Sequence, residues 1–308
     1  MKIVITEFMD EPAVADLRAR FAIAYDPTLV DRRAEMLALL KDCDGLIVRN
    51  RTRVDAEVLA AAPRLRVVGR LGVGLDNIDV DACAAREIKV IPATGANAQA
   101  VAEYVVATAF VLLRGAYFAT ADVAAGRWPR AALSEGREAA DKTLGLVGFG
   151  GIGRRPAALA RAIGMRVIAH DPIIPAEDRM WRDAGTERRE LDDVLTEADA
   201  ISLHVPLVDG TRAMIGAAQL RRMKKGAVLI NTARGGIVDE AALAAALVDG
   251  HLGGAACDVF DKEPLPAGSP LAGAPNLILT PHIAGLTQES NARVSTMIAR
   301  RVAAALTS

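Results

Sequence analysis

The sequence predicts an α/β protein made of two successive parallel-sheet domains. Three observations point there. Short Val/Ile/Leu-rich runs alternate with Ala-rich helical segments along the chain, the pattern of βα units around parallel sheets. The length of 308 residues exceeds one ordinary domain and suits two. A Gly-x-Gly-x-x-Gly turn, Gly148 to Gly153, sits between an apolar run and a helical one.

In the first series, Lys2–Thr6, Gly45–Val48, Val67–Gly69 and Lys89–Ile91 read as strands. Each is a continuous apolar run, as strands buried on both faces require. Glu11–Arg20 and Arg32–Lys41 read as helices between them. In the second series the strands read as Thr143–Gly148, Arg166–His170, Ala200–Val205, Ala227–Asn231, Gly254–Asp258 and Leu277–Thr280. Gly151–Ile163, Leu191–Glu197 and Glu240–Gly250 read as connecting helices. A long helix, Ala98–Leu113, lies where the two series meet. Gln288–Leu306 reads as a final helix, and its pattern alone leaves open which domain it joins.

Composition excludes several classes of function. Lys plus Arg is 37 and Asp plus Glu is 38, a net charge of −1. No basic excess favours nucleic acid or an anionic membrane surface. Aromatic residues are only 4%, too few for a base-stacking surface. The longest apolar stretch, Tyr104 to Leu113, falls far short of the roughly 20 residues of a membrane span. The opening Met1–Glu7 reads as a short strand, without the apolar core or cleavage site of a signal peptide. Cys43, Cys83 and Cys257 are far apart, so buried reduced thiols in a cytoplasmic protein, and no metal site, are expected.

The glycine turn carries the first functional reading. Gly148 allows the tight turn, Gly150 has no Cβ to obstruct a pyrophosphate, and Gly153 lets the helix approach the strand. Gly151 and Ile152 complete the turn, and the helix start offers N–H groups to phosphates. The next strand ends at Asp171, 18 residues past Gly153. A carboxylate there suits the ribose hydroxyls of NAD and repels the 2′-phosphate of NADP. Pro156 falls near the end of the first helical turn, where a missing N–H costs little.

Three further segments end predicted strands, where open α/β sheets place ligands. They are Asn231-Thr232-Ala233-Arg234-Gly235-Gly236, Cys257-Asp258-Val259-Phe260-Asp261-Lys262-Glu263-Pro264 and Thr280-Pro281-His282-Ile283-Ala284-Gly285. His282 suits proton transfer, because imidazole titrates nearest neutral pH. Glu263 would favour the imidazolium and orient the ring. Arg234 suits a planar grip on a carboxylate and polarisation of a 2-oxo group. His170, His204 and His251 stand outside these motifs and read as structural or solvated.

At these residues, together with Gly69 to Asp79 and Asn97 to Tyr104, the chain resembles the D-isomer-specific 2-hydroxyacid dehydrogenases, which include phosphoglycerate dehydrogenase. The resemblance runs through nearly the whole chain. It implies Arg234, Glu263 and His282 as the catalytic set. It implies that Val73, Val205, Pro206, Thr232, Ala233, Asp258 and His282 line the NAD site. Backbone N–H groups of Gly72 and Val73 would receive the substrate carboxylate. It further implies Rossmann-like and flavodoxin-like domains with an active-site cleft between them that closes on substrate. The substrate domain would comprise 1–96 and 286–308, the NAD-binding domain 97–285, and the protein would be a homodimer. No C-terminal regulatory domain is expected after the last helix, and so no serine control.

Arg49 and Arg70 resemble the positions that hold the distal phosphate in phosphoglycerate dehydrogenase, and would favour a second anionic group. Arg51 and Arg53 read equally well as a solvated basic loop. The segments Ile5 to Glu11, Val48 to Thr52 and Arg70 to Asp76 resemble the sulfolactate dehydrogenase branch. The expected substrate is therefore a dianionic 2-hydroxy acid such as 3-sulfolactate or 3-phosphoglycerate. A broad glyoxylate/hydroxypyruvate reductase is the alternative, and an NADH-sensing co-regulator a remote one. A formate dehydrogenase is disfavoured, because that branch has no Glu at the position of Glu263.

Overall fold

Five strands form a parallel sheet in the first part of the chain: β1 (Lys2–Ile5), β2 (Ala22–Tyr25), β3 (Gly45–Val48), β4 (Val67–Arg70) and β5 (Lys89–Pro92). Their order is β2-β1-β3-β4-β5, with Ile3 opposite Ile23 on one side and Gly45 on the other. The computed structural model describes residues 1–307. They divide into two units, 1–97 with 286–307, and Ala98–Gly285. Along the strands of the first unit, side chains alternate between two cores. Ile3, Ile5, Ile47 and Val67 face one way, and Val4, Leu46, Val48 and Val68 the other. Strand β2 was not among the expected strands. It is an edge strand whose side chains are at most partly buried, so selection for a continuous apolar core is weaker there.

The C-terminal helix Gln288–Thr307 belongs to this first unit. Val294, Ile298, Val302 and Leu306 recur along one helical face and join the core of Ile3 and Ile47. Gly69 on β4 permits the close approach: a Cβ there would sit 2.7 Å from both Ile298 Cγ2 and Val302 Cγ2. The packing thus decides what the pattern left open.

The second unit holds a parallel sheet of seven strands: β6 (Thr143–Val147), β7 (Arg166–His170), β8 (Glu187–Arg188), β9 (Ala200–Leu203), β10 (Val228–Asn231), β11 (Gly254–Cys257) and β12 (Leu277–Leu279). Their order is β12-β11-β10-β9-β6-β7-β8. The sheet therefore grows outward from β6 in both directions, with its switch point between β6 and β9. In the first unit the switch lies between β1 and β3. In both, ligands are expected beyond the carboxyl ends of those two strands.

Helices cover both faces of the larger sheet. Ala98–Arg114 packs beside Arg154–Ala162 on one face. Leu112 lies over Gly254, where a Cβ would stand 2.9 Å from Leu112 Cδ2. On the other face Leu191–Glu197 approaches Gly145, where a Cβ would stand 2.7 Å from Val194 Cγ1. The helix after the glycine turn starts at Arg154 rather than at Gly151, because residues 151–153 form the turn itself. Pro156 is consequently its third residue, still within the first turn. The two-residue strand β8 and short helices at Ala56–Ala61, Val80–Ala85, Thr120–Ala124 and Ala217–Arg222 were not expected. Segments this short show little periodicity.

Cys43, Cys83 and Cys257 are free and buried. Among the described residues, no single helix is long and apolar enough to cross a membrane.

Candidate active site

The glycine turn follows β6 directly. Gly148 has φ +95°, and a Cβ on it would lie 2.6 Å from the carbonyl oxygen of His204, just past β9. Glycine is therefore required at the switch point by both conformation and space. Gly153 is equally confined, since its Cβ would lie 2.3 Å from Gly148 O. Gly150 and Gly151 differ: a Cβ on either meets no atom within 4 Å. Their outer face is open beside the helix start, as an approaching pyrophosphate needs. Ile152 is half-buried and packs into the core below.

Asp171 stands just past β7. Its Oδ2 accepts from Phe149 N at 2.8 Å and its Oδ1 from Ile173 N at 3.0 Å. A carboxylate offers about four acceptor sites, so it can hold the turn and still receive ribose hydroxyls. The bond to Phe149 was not legible in sequence, because strand-end spacing does not show a side chain folding back on the loop. Arg154 neighbours the same turn. It is exposed on the first residue of the helix, with Nε 3.4 Å from Gly150 O.

Val205 and Pro206 follow β9, and Val205 Cγ1 would lie 3.1 Å from a Cβ on Gly148. Past β10, Asn231 shapes the next loop from inside. It is buried, its Oδ1 accepts from Ala233 N at 3.1 Å, and its Nδ2 donates to Arg234 O at 3.0 Å. Arg234 is thereby held at a fixed point of the loop, its own Nη1 donating to Ala233 O at 2.6 Å. Thr232 Oγ1 is buried without a hydrogen-bond partner. An orphaned hydroxyl at a strand end is costly unless a ligand completes it. With the open glycine face and Asp171, it fits a bound dinucleotide.

Glu263 and His282 meet in space. His282 Nδ1 lies 2.8 Å from Glu263 Oε2, while Glu263 Oε1 accepts from Phe260 N at 3.1 Å. Both side chains remain well exposed, at 39% and 36%. His282 has φ +57°, a left-handed conformation uncommon for a non-glycine residue. Its N–H donates to Asp258 O at 2.8 Å. The buried Asp258 carboxylate accepts from Thr280 Oγ1 at 2.6 Å, and from Ile283 N and Ala284 N at 2.8 Å each. Asp258, expected at the cofactor, holds with its carboxylate the loop that carries His282.

The other histidines are structural. Burial pushes the His204 imidazole down to about 4, so it is neutral at neutral pH, with Nε2 3.0 Å from Ser202 Oγ. His170 Nδ1 lies 3.2 Å from Arg189 O, and His251 Nε2 lies 3.0 Å from Leu220 O.

In the first unit, Glu7 organises the loop after β3. This buried carboxylate accepts from Arg49 N at 2.8 Å, Thr52 N at 2.9 Å and Arg51 N at 3.1 Å. The Arg49 guanidinium stacks 5.6 Å over the Phe8 ring and donates to Asn291 Oδ1 at 2.7 Å. Burial lowers its affinity for its proton. Arg51 points elsewhere, into an exposed ion pair with Asp31. Arg70 Nη1 donates to Leu71 O at 3.0 Å and lies across Gly72, where any side chain would collide with it. Gly72 N donates to Arg70 O at 2.8 Å. The Gly72 N–H, expected to receive a carboxylate, closes this turn. Val73, half-buried, is the next backbone donor along.

The family described as D-isomer specific 2-hydroxyacid dehydrogenase, NAD binding domain, matches residues 106–284. The chain is 57% identical over 304 residues to an (S)-sulfolactate dehydrogenase of Chromohalobacter salexigens, covering 99% of this chain and 98% of that one. It is 42% identical over 275 residues to a D-3-phosphoglycerate dehydrogenase of Mycobacterium leprae, covering 89% of this chain and 51% of that one. It thus spans about half the length of that relative. Among solved structures, a D-lactate dehydrogenase from Aquifex aeolicus complexed with NAD and lactic acid has a TM-score of 0.83 at 29% identity, covering 98% of this chain and 94% of that one. The chain belongs to the D-isomer-specific 2-hydroxyacid dehydrogenase family and is an NAD-dependent oxidoreductase of 2-hydroxy acids.

Proposed function

We propose that the chain interconverts 3-sulfolactate, or a closely similar dianionic 2-hydroxy acid, with its 2-oxo acid, using Arg234, Glu263 and His282. The observation that carries the residue assignment is the 2.8 Å contact between His282 Nδ1 and Glu263 Oε2. With Nδ1–H donated to the carboxylate, the lone pair of Nε2 is left to accept the substrate hydroxyl proton. In the reverse direction the imidazolium returns that proton to the carbonyl oxygen. Glu263 is itself fixed by Phe260 N, so the ring orientation does not have to be found anew in each turnover. Arg234 grips the C1 carboxylate and polarises the 2-oxo group. Bound NAD supplies the acceptor for the hydride leaving C2. The glycine turn, Thr232, Ala233, Val205, Pro206 and Asp171 hold the dinucleotide.

Two features support a second anionic group on the substrate. One is the 57% identity to a protein named (S)-sulfolactate dehydrogenase. The other is the pair Arg49 and Arg70, which lie at neighbouring ends of the adjacent strands β3 and β4, where Val48 is the register partner of Arg70. A steady-state panel of sulfopyruvate, phosphohydroxypyruvate, hydroxypyruvate, glyoxylate and pyruvate with NADH tests this. Sulfopyruvate should give the highest kcat/KM. Equal values across charged and uncharged C3 substituents would replace the proposal with a broad hydroxypyruvate/glyoxylate reductase.

The proposed assembly is a homodimer in the cytoplasm. Phe110, Tyr117, Phe118, Val123 and Trp128 are exposed in one stretch of the second unit, Trp128 at 77%, and exposed apolar side chains in such number suit a protein interface. Light scattering should show two copies for the wild type and one for Trp128→Asp. Three free, buried thiols suit a reducing compartment.

A further inference from the structure

We propose that Tyr104 is a positioning residue for His282, acting through the hydroxyl of Thr280 and the carboxylate of Asp258. This rests on His282 being the proton-transfer group.

Tyr104 lies on the helix Ala98–Arg114, 176 residues before Thr280. Its hydroxyl stands 2.7 Å from Thr280 Oγ1, and that oxygen stands 2.6 Å from Asp258 Oδ1. The direction of the chain follows from counting protons. Thr280 has one hydroxyl hydrogen, and it is directed at a carboxylate that already accepts from Ile283 N and Ala284 N. Thr280 can therefore only accept from Tyr104, and the phenol must donate. Burial raises the Tyr104 phenol above its usual value, which keeps that donor protonated. The result is an ordered relay from Tyr104 O–H to Thr280 O–H to Asp258.

Asp258 connects the relay to His282. Its backbone carbonyl accepts from His282 N, and its side chain holds the two residues that follow His282. His282 itself sits at φ +57°, a conformation that persists only when its surroundings impose it. Hydrogen bonds in series polarise one another, so a donor at the far end strengthens the Thr280–Asp258 bond. Loss of the phenol leaves Thr280 free to rotate away and loosens the loop at its first residue. The imidazole then departs from the line set by Glu263. Misplacement on the ångström scale lowers rate much more than cofactor affinity.

The test uses Tyr104→Phe, Thr280→Val, Thr280→Ser and the Tyr104→Phe/Thr280→Val double variant, with His282→Ala as reference. Tyr104→Phe and Thr280→Val should each lower kcat roughly tenfold, leaving the Kd for NADH within about twofold. Thr280→Ser should restore kcat, because it keeps the hydroxyl. The double variant should be no slower than Thr280→Val alone, because both interrupt one chain. A second readout needs no cofactor. With 13C-labelled histidine, the His282 ring resonance, assigned by its loss in His282→Ala, should be single in the wild type and Thr280→Ser. It should broaden or split in Tyr104→Phe and Thr280→Val. Unchanged kcat and ring signals in those two variants would overturn the relay. So would full additivity in the double variant, or a matching rise in the Kd for NADH, which signals a general packing role. Full turnover in His282→Ala would instead overturn the proton-transfer assignment, and the relay with it.

Discussion

Two loops, one in each unit, are built the same way and do different things. The loop after β3 hangs on buried Glu7, which accepts three backbone N–H groups. The loop after β12 hangs on buried Asp258, which accepts two backbone N–H groups and a hydroxyl. In both, the carboxylate is consumed by construction and a neighbouring side chain carries the proposed function. The difference lies in what happens to that side chain. His282 stays well exposed with a single carboxylate partner, an arrangement suited to moving a proton. Arg49 is covered, stacked on Phe8 and tied to Asn291, an arrangement suited to holding an anion in place. The lesson is that a buried acid at a strand end need not be the chemical group. It can be the frame that presents one.

The comparison can be broken most severely at His282. His282→Ala should lower kcat by about 10²- to 10⁴-fold while NADH binding, followed by fluorescence, is largely retained. Arg234→Lys should come next, with kcat/KM down roughly 100-fold, because an ammonium lacks the planar fork. Chemical denaturation should then show Glu7→Gln less stable by about 1–3 kcal/mol, since an amide N–H₂ would face backbone donors. The same variant should leave the Kd for NADH unaltered, as the glycine turn lies in the other unit. A rise in that Kd would mean the two loops are not independent.

Smaller effects sharpen the comparison. Arg49→Ala should raise KM for sulfopyruvate about tenfold more than KM for pyruvate, because only the former presents a second anion. Arg51→Ala, already paired with Asp31 at the surface, should change both by less than about twofold. Asp171→Ala should reduce the preference for NAD over NADP by about tenfold, measured as a ratio of kcat/KM values. An unchanged ratio would place the ribose carboxylate elsewhere.

Much of this molecule follows from its sequence alone. Largely apolar runs announced β3, β6 and β10, because a strand buried on both faces has few polar positions to vary. The glycine turn was legible residue by residue, since Gly148 and Gly153 are confined by backbone atoms that only glycine tolerates. Arg234, Glu263 and His282 were legible as residue types at strand ends. Only tertiary structure decided their frame. The home of the C-terminal helix depends on Gly69 giving room to Ile298 and Val302. The separate fates of Arg49 and Arg51, and the hold of Asp258 on the loop that carries His282, depend on partners distant in sequence. Tyr104 and Thr280 show why: a periodic pattern reports which face of an element is buried, but a buried polar group takes its partner from whatever the fold brings within about 3 Å.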